Sequence, residues 1–291
     1  MGGWRKSQIV ADLPAMDIVR TASFNVWESP ERAYLFARWS YEPADRALIF
    51  VHGLASSWDV WVHFRHAIEQ PEMARTDVFW FDYKSLGATI SRSSLWFREA
   101  LTGLIDGASS AFGHRTFPKA RPKPSYATID IVAHSLGAVV ARSALNELTN
   151  EPRVRGLETA PEWKIEQLLL APALLGSKLP WLMKYVGTES FFAALQLVRR
   201  GGFTAIMDLK EGSPLLKDLE THVKDRLKEA PVVANACGLR VTHTTHGNND
   251  NVVIQRVYAR DDNYKLTQGN HFTIVRKPSD LARDFVLGKA P

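Results

Sequence analysis

Ser135 stands in the stretch Ala133-His134-Ser135-Leu136-Gly137, at the junction of two segments of opposite character. Before it, Thr128-Ile129-Asp130-Ile131-Val132 is short, β-branched and apolar, the pattern of a buried strand. After it, Leu136 to Leu148 is rich in Ala and Leu, free of proline, and apolar at helical spacing. A serine between a strand and a helix must occupy a sharp turn, which lifts its hydroxyl above the sheet edge. The helix N-terminus behind it favours negative charge developing there. The small residues Ala133 and Gly137 let strand and helix approach closely. The competing reading is an ordinary helix-capping serine. A serine hydroxyl is a weak nucleophile at neutral pH, so chemistry at Ser135 needs a histidine base within hydrogen-bond reach and a carboxylate to orient that histidine.

The elements that would position such a group alternate along the chain. Arg32–Trp39 reads as an early strand, Ala47–Val51 as a buried strand ending at His52-Gly53, and Asp77–Tyr83 as the next. Between the last two, Trp58–Gln70 carries Val60, Trp61, Phe64, Ala67 and Ile68 at helical spacing. A helix is expected over Ser94–Phe112, strands over Ile165–Ala171 and Leu239–Thr244, and a closing helix over Ser279–Leu287 capped by Ser279 or Asp280. Strands alternating with helices imply an α/β fold with a mostly parallel central sheet flanked by helices. Pro172–Leu216 interrupts the alternation. It is apolar and helical in pattern, with Trp181, Leu182, Met183, Phe191, Phe192, Leu195, Leu197 and Val198, and reads as a helical cap over the sheet edge or as packed connecting helices. The expected organisation is one domain over residues 1–291, with 172–216 as a cap insertion.

Composition narrows the function classes. The 291 residues are 45% hydrophobic and 23% charged, the balance of a globular protein with a sizeable core. A single cysteine, Cys237, excludes an intrachain disulfide, fits a reducing compartment, and reads as a small core residue. The N-terminus builds no apolar signal-peptide core and no apolar run reaches about 18 residues, so a cytoplasmic protein without a membrane span is expected. Much of the net charge of +5 lies in the proline-punctuated stretch 114–124. That stretch is a solvated surface loop or, in the functional reading, a peripheral contact with anionic membrane. No zinc-finger, RNA-recognition or phosphate-loop spacing accompanies the basic residues, so nucleic acid is not an expected partner.

The strand, the serine turn and the helix together form a nucleophile elbow, and the chain resembles the α/β-hydrolase superfamily, with Ala133 in place of the usual first glycine. The resemblance runs over residues 46 to 278 and is to lipase-like hydrolases of the serine-active-site and GPI-deacylase type, which also carry a segment like Glu211-Gly212-Ser213-Pro214-Leu215-Leu216. It implies the chain order Ser, acid, His. Asp250 fits the acid, in the turn-rich loop Thr244 to Val253, with Asp261 and Asp262 as alternatives in the next turn. Asp208, Asp218 and Asp225 fall earlier, in helical stretches. His271 fits the base, in Gly269-Asn270-His271-Phe272 before an apolar run and Lys277-Pro278. His243 and His246 precede Asp250 and break the order, and His222 lies among charged helical residues. The oxyanion would be met by the backbone N–H groups of Leu136 and Leu54, the latter in the loop His52-Gly53-Leu54, with His52 supporting that loop.

The expected function is therefore hydrolysis of carboxylic esters by a Ser135–His271–Asp250 triad through an acyl-enzyme, with neither cofactor nor metal. The apolar residues of 172–216 point to a lipid-like or medium-to-long-chain acyl ester, against the alternative of a narrow pocket for short esters. Two rivals stand beside it: a non-catalytic binding module on the same fold, and an acyltransferase using the same triad. The oligomeric state is not legible in the sequence.

Overall fold

A computed structural model describes residues 16–19, 33–40, 42–106, 126–151, 154, 161–178, 204–254 and 264–289. Among these, eight strands form one sheet: β1 Met16–Val19, β2 Tyr34–Arg38, β3 Arg46–Val51, β4 Thr76–Asp82, β5 Thr128–His134, β6 Lys164–Leu170, β7 His243–Gly247 and β8 Tyr264–Thr267. Their order is β1-β2-β4-β3-β5-β6-β7-β8. β2 pairs antiparallel with β1 and β4, and every other pairing is parallel. The mostly parallel sheet expected from the alternation is thus present, with two short edge strands added.

The central strands are buried along nearly their whole length, as apolar strands covered on both faces must be. The covering helices are α1 Arg65–Ile68, α2 Ile90–Ile105, α3 Leu136–Thr149, α4 Thr204–Asp208, α5 Pro214–Glu229, α6 Pro231–Ala236, α7 Thr273–Arg276 and α8 Asp280–Val286. α2 packs on α3, and α3 on α5. The chain runs outward from β3 to β4, then crosses back to β5 on the other side of β3. That reversal puts the topological switch point at the C-terminal ends of β3 and β5, the place where open α/β sheets bind ligands.

Several boundaries depart from the sequence expectation, each for a physical reason. Trp58–Phe64 is a 3₁₀ helix before α1 rather than one α-helix, because Trp61 and Phe64, three residues apart, both pack on Phe50 at 4.9 and 5.4 Å between ring centroids. α2 begins four residues early, where the Thr89 side chain accepts from the Arg92 N–H at 3.1 Å. β7 is shifted from Leu239–Thr244 to His243–Gly247. Leu239 belongs to the exit of α6: its N–H donates to the Ala234 carbonyl at 2.9 Å after the positive-φ Gly238, and pairing with β6 starts only at Leu168↔His243. Of the expected cap, 179–203 lies outside the described residues, with Trp181 through Val198 in it. Its last residues, Pro214–Leu216, open α5, which Ser213 caps by accepting from the Leu216 N–H at 3.3 Å. The basic stretch 114–124 and the alternatives Asp261 and Asp262 also lie outside the described residues.

Candidate active site

Ser135 sits between the last residue of β5 and the first of α3, with φ 53° and ψ −118°. A non-glycine residue in that region stores roughly 1–3 kcal/mol of strain and holds it only if its surroundings insist. Here the Ser135 N–H donates to the Leu170 carbonyl at 3.0 Å, and its own carbonyl accepts from Ala138 at 3.1 Å and Ala173 at 3.2 Å. Gly137 is required by proximity: a Cβ there would lie 2.5 Å from the carbonyl oxygens of both Val51 and His52. Ser135 occupies the N-cap position of α3, yet its side chain makes no capping bond. Its Oγ lies 2.8 Å from His271 Nε2 instead.

His271 and Asp250 arrive on two loops fastened to each other. The acid loop leaves β7 with Asp250 N–H donating to Gly247 O at 3.1 Å. Asn248 and Asn249 donate to the carbonyls of Thr267 and Gly269 at 2.8 and 2.9 Å, and Gly269 N–H donates back to Asn248 Oδ1 at 3.1 Å. Asn270 then accepts the N–H groups of Phe272 and Thr273, both at 3.0 Å, and starts α7. The result places His271 Nδ1 2.9 Å from Asp250 Oδ2. Asp250 Oδ1 accepts from the N–H groups of Val252 and Val253 at 2.9 and 3.3 Å.

The partners fix the proton positions. A carboxylate only accepts, so His271 carries its proton on Nδ1 and presents the Nε2 lone pair to the Ser135 hydroxyl. Burial would raise the Asp250 carboxyl, but the hydrogen bond and charge of His271 and the two valine amides outweigh it and hold it below the usual value. Ser135, Asp250 and His271 are 3%, 5% and 2% exposed, so these interactions act in a dry environment. The arrangement can take a proton from Ser135 Oγ and stabilise the resulting imidazolium.

Leu136 is the first residue of α3, so its N–H has no partner within the helix. Gly53, which precedes Leu54, presses on the elbow: a Cβ there would be 2.9 Å from His134 Nδ1 and 3.0 Å from Ser135 Cβ. The loop is held from β4. Tyr83 stacks on His52 at 4.4 Å, its N–H donates to His52 Nε2 at 3.2 Å, and its hydroxyl donates to His52 O at 2.9 Å. Ala55 N–H donates to Ser85 Oγ at 3.0 Å, and Trp58 N–H to Asp82 Oδ1 at 3.2 Å. His52 is therefore bonded into this loop and stands apart from the Ser135–His271 contact.

The structure brings Ser135, Asp250 and His271 together. Asp218, Asp225 and His222 are exposed on α5. His246 is fully buried close to Asp250 and His271, with neither ring nitrogen hydrogen-bonded among the described residues, and burial pushes it down to about 4. Tyr83, Ser85, Asn270 and His134 were not singled out from sequence. Only Asn270, directly before His271 in a turn-forming stretch, offered a local signal. Among the described residues, no group of His, Cys, Asp and Glu could hold a metal, and no helix is long and apolar enough to cross a membrane.

No family model matches the chain and no curated protein is similar to it in sequence. Solved structures do match. The Bacillus licheniformis lipase BlEst2 in its propeptide form aligns with a TM-score of 0.54 and 17% identity, over 89% of this chain and 54% of that one. The mature form aligns with a TM-score of 0.52 and 17% identity, over 87% of this chain and 97% of that one. The chain therefore spans about half the length of the propeptide form and nearly all of the mature one. At this identity the likeness is one of fold.

Proposed function

We propose that this chain, an α/β-hydrolase by fold, is a metal-independent serine hydrolase of carboxylic esters. The observation that carries the reading is the unbroken hydrogen-bond chain from Asp250 through His271 to Ser135, across residues 136 positions apart in sequence. Ser135 Oγ attacks the ester carbonyl carbon as its proton passes to His271 Nε2. The carbonyl π electrons move onto oxygen, and that oxyanion faces the N–H groups of Leu136 and Leu54. Collapse expels the alkoxide, which takes the proton from His271, and leaves Ser135 acylated. Water repeats the sequence with His271 again as base and releases the acid. Asp250 keeps the tautomer correct and offsets the imidazolium charge.

The substrate we propose is a lipid-like or medium-to-long-chain acyl ester. Support comes from the apolar residues of the 172–216 sequence and from the likeness in fold to the lipase BlEst2. Each acyl CH₂ buried against such residues would contribute up to about 0.8 kcal/mol. Ser135→Ala should abolish fluorophosphonate labelling and turnover of p-nitrophenyl esters while the variant stays folded. Unchanged turnover would end the assignment, and absence of labelling in the wild type would favour the binding-module rival. A fall in kcat/KM from acetate to laurate esters would overturn the lipid-like substrate alone.

A further inference from the structure

His134 is 4% exposed and bridges two parts of the proposed machinery without belonging to its hydrogen-bond chain. Its Nε2 lies 2.9 Å from the backbone carbonyl of His271, and the two imidazole centroids are 4.8 Å apart. Its other nitrogen, Nδ1, is buried, has no hydrogen-bond partner among the described residues, and abuts the Gly53 backbone. A carbonyl only accepts, so Nε2 must carry the proton and Nδ1 a bare lone pair. An imidazole buried with half its polar capacity unused is a poor space-filler, since an apolar side chain of similar size would avoid that desolvation cost. The one return on a histidine at this position is the bond to His271.

We propose that His134 is a positioning residue: its Nε2–H holds the His271 carbonyl, pinning the histidine loop to the elbow so that His271 Nε2 stays in line with Ser135 Oγ. The proposal rests on the hydrolase reading above. Residue 134 is covalently next to the nucleophile, so this bond ties the backbone of the base to the elbow itself. Burial, reinforced by the neighbouring His271, pushes the imidazole down to about 3, so His134 remains a neutral donor when His271 takes up the Ser135 proton. A displacement of the base by about 1 Å can cost on the order of 100-fold in rate.

The test compares His134→Met with His134→Gln in the full chain. The two replacements are nearly equal in shape, and only glutamine can donate to the carbonyl. With p-nitrophenyl butyrate, the Met variant should lose about 10- to 100-fold in kcat with KM within about twofold, and Gln should recover most of the loss. Imidazole ¹⁵N NMR of the wild type should show His134 as the neutral Nε2–H tautomer at pH 6. A folded Met variant with wild-type kcat, or equal losses in Met and Gln, overturns the proposal. If the Met variant does not fold, an Nδ1–H tautomer or a Gln variant as impaired as Ser135→Ala overturns it. A wild type that neither labels nor turns over fails the hydrolase reading itself, and this proposal with it.

Discussion

Asp250→Asn would isolate the role of the carboxylate with little change in shape. In the native site Oδ1 accepts from Val252 and Val253, and Oδ2 accepts from His271 Nδ1–H. An asparagine has one accepting and one donating end, so it must choose. Turning its oxygen to the valine amides keeps both of those bonds and sets the NH₂ against His271. Turning it the other way strands two buried N–H groups against an NH₂, each at roughly 1–3 kcal/mol. The first orientation is thus favoured by about 2–6 kcal/mol, and fewer than about one molecule in thirty adopts the second. Facing an NH₂, His271 must present its Nδ1 lone pair and move its proton to Nε2, where it meets the Ser135 hydroxyl and can no longer accept. The expected loss in kcat at pH 7 is about 10⁴-fold, as for the loss of this carboxylate in other serine triads. That corresponds to about 5.5 kcal/mol of transition-state stabilisation. Because the valine bonds survive, the melting temperature should change by only a few degrees. The assay is p-nitrophenyl butyrate hydrolysis with fluorophosphonate labelling and a thermal melt. A folded variant losing less than about tenfold would refute the tautomer reasoning.

Three further outcomes follow from particular contacts. Gly53→Ala would set a methyl 2.9 Å from His134 Nδ1 and 3.0 Å from Ser135 Cβ, so the loop and the elbow must separate. A loss of about 1–3 kcal/mol in stability and at least tenfold in kcat/KM is expected, and wild-type turnover would show that the two do not act together. Ser213→Ala removes the cap of α5 and the bond from Ser213 Oγ to Asp208 O at 2.6 Å; about 1–2 kcal/mol should be lost in a urea titration with kcat unchanged, and an unchanged midpoint would refute the capping account. Stability against pH should respond to Asp130, whose carboxyl burial pushes up to about 6 against the pull of Arg46, while burial pushes His134 and His246 down to about 3 and 4. Between pH 4 and 6 the imidazoles bind protons chiefly in the unfolded chain, so their contribution to stability is lost as pH falls. Asp130 binds its proton preferentially in the fold, so its contribution is lost as pH rises through the same window. Asp130→Asn should therefore steepen the rise of unfolding free energy with pH by about 1.4 kcal/mol per unit, and urea titrations giving parallel curves for the two proteins would refute this.

The sequence alone determined whatever depends on neighbours along the chain. Thr128–Val132 followed by Ala133-His134-Ser135-Leu136-Gly137 marks a strand, a turn and a helix because β-branching, small residues and helix propensity act over a few residues. The same local rules marked a helix start capped by Ser279 or Asp280, of which the structure uses Ser279, and the turn-rich acid loop at 248–250. What the tertiary structure decided is what depends on partners far away. Leu239–Thr242 carries a strand-like pattern, yet it exits α6: the β6 residue Gln167 donates its N–H to the Thr242 side chain, and ladder pairing with β6 starts only at His243. Met16–Val19 and Tyr264–Thr267 are too short to signal strands and become strands through the neighbour each finds at a sheet edge. Which histidine meets Ser135 was set by the lacing of the β7 and β8 loops, which delivers His271 to 2.8 Å from Oγ. That nitrogens of His134 and His246 have no hydrogen-bond partner among the described residues was likewise invisible in residue types, since satisfaction of a buried polar group is a property of the packed interior and not of the chain that folds into it.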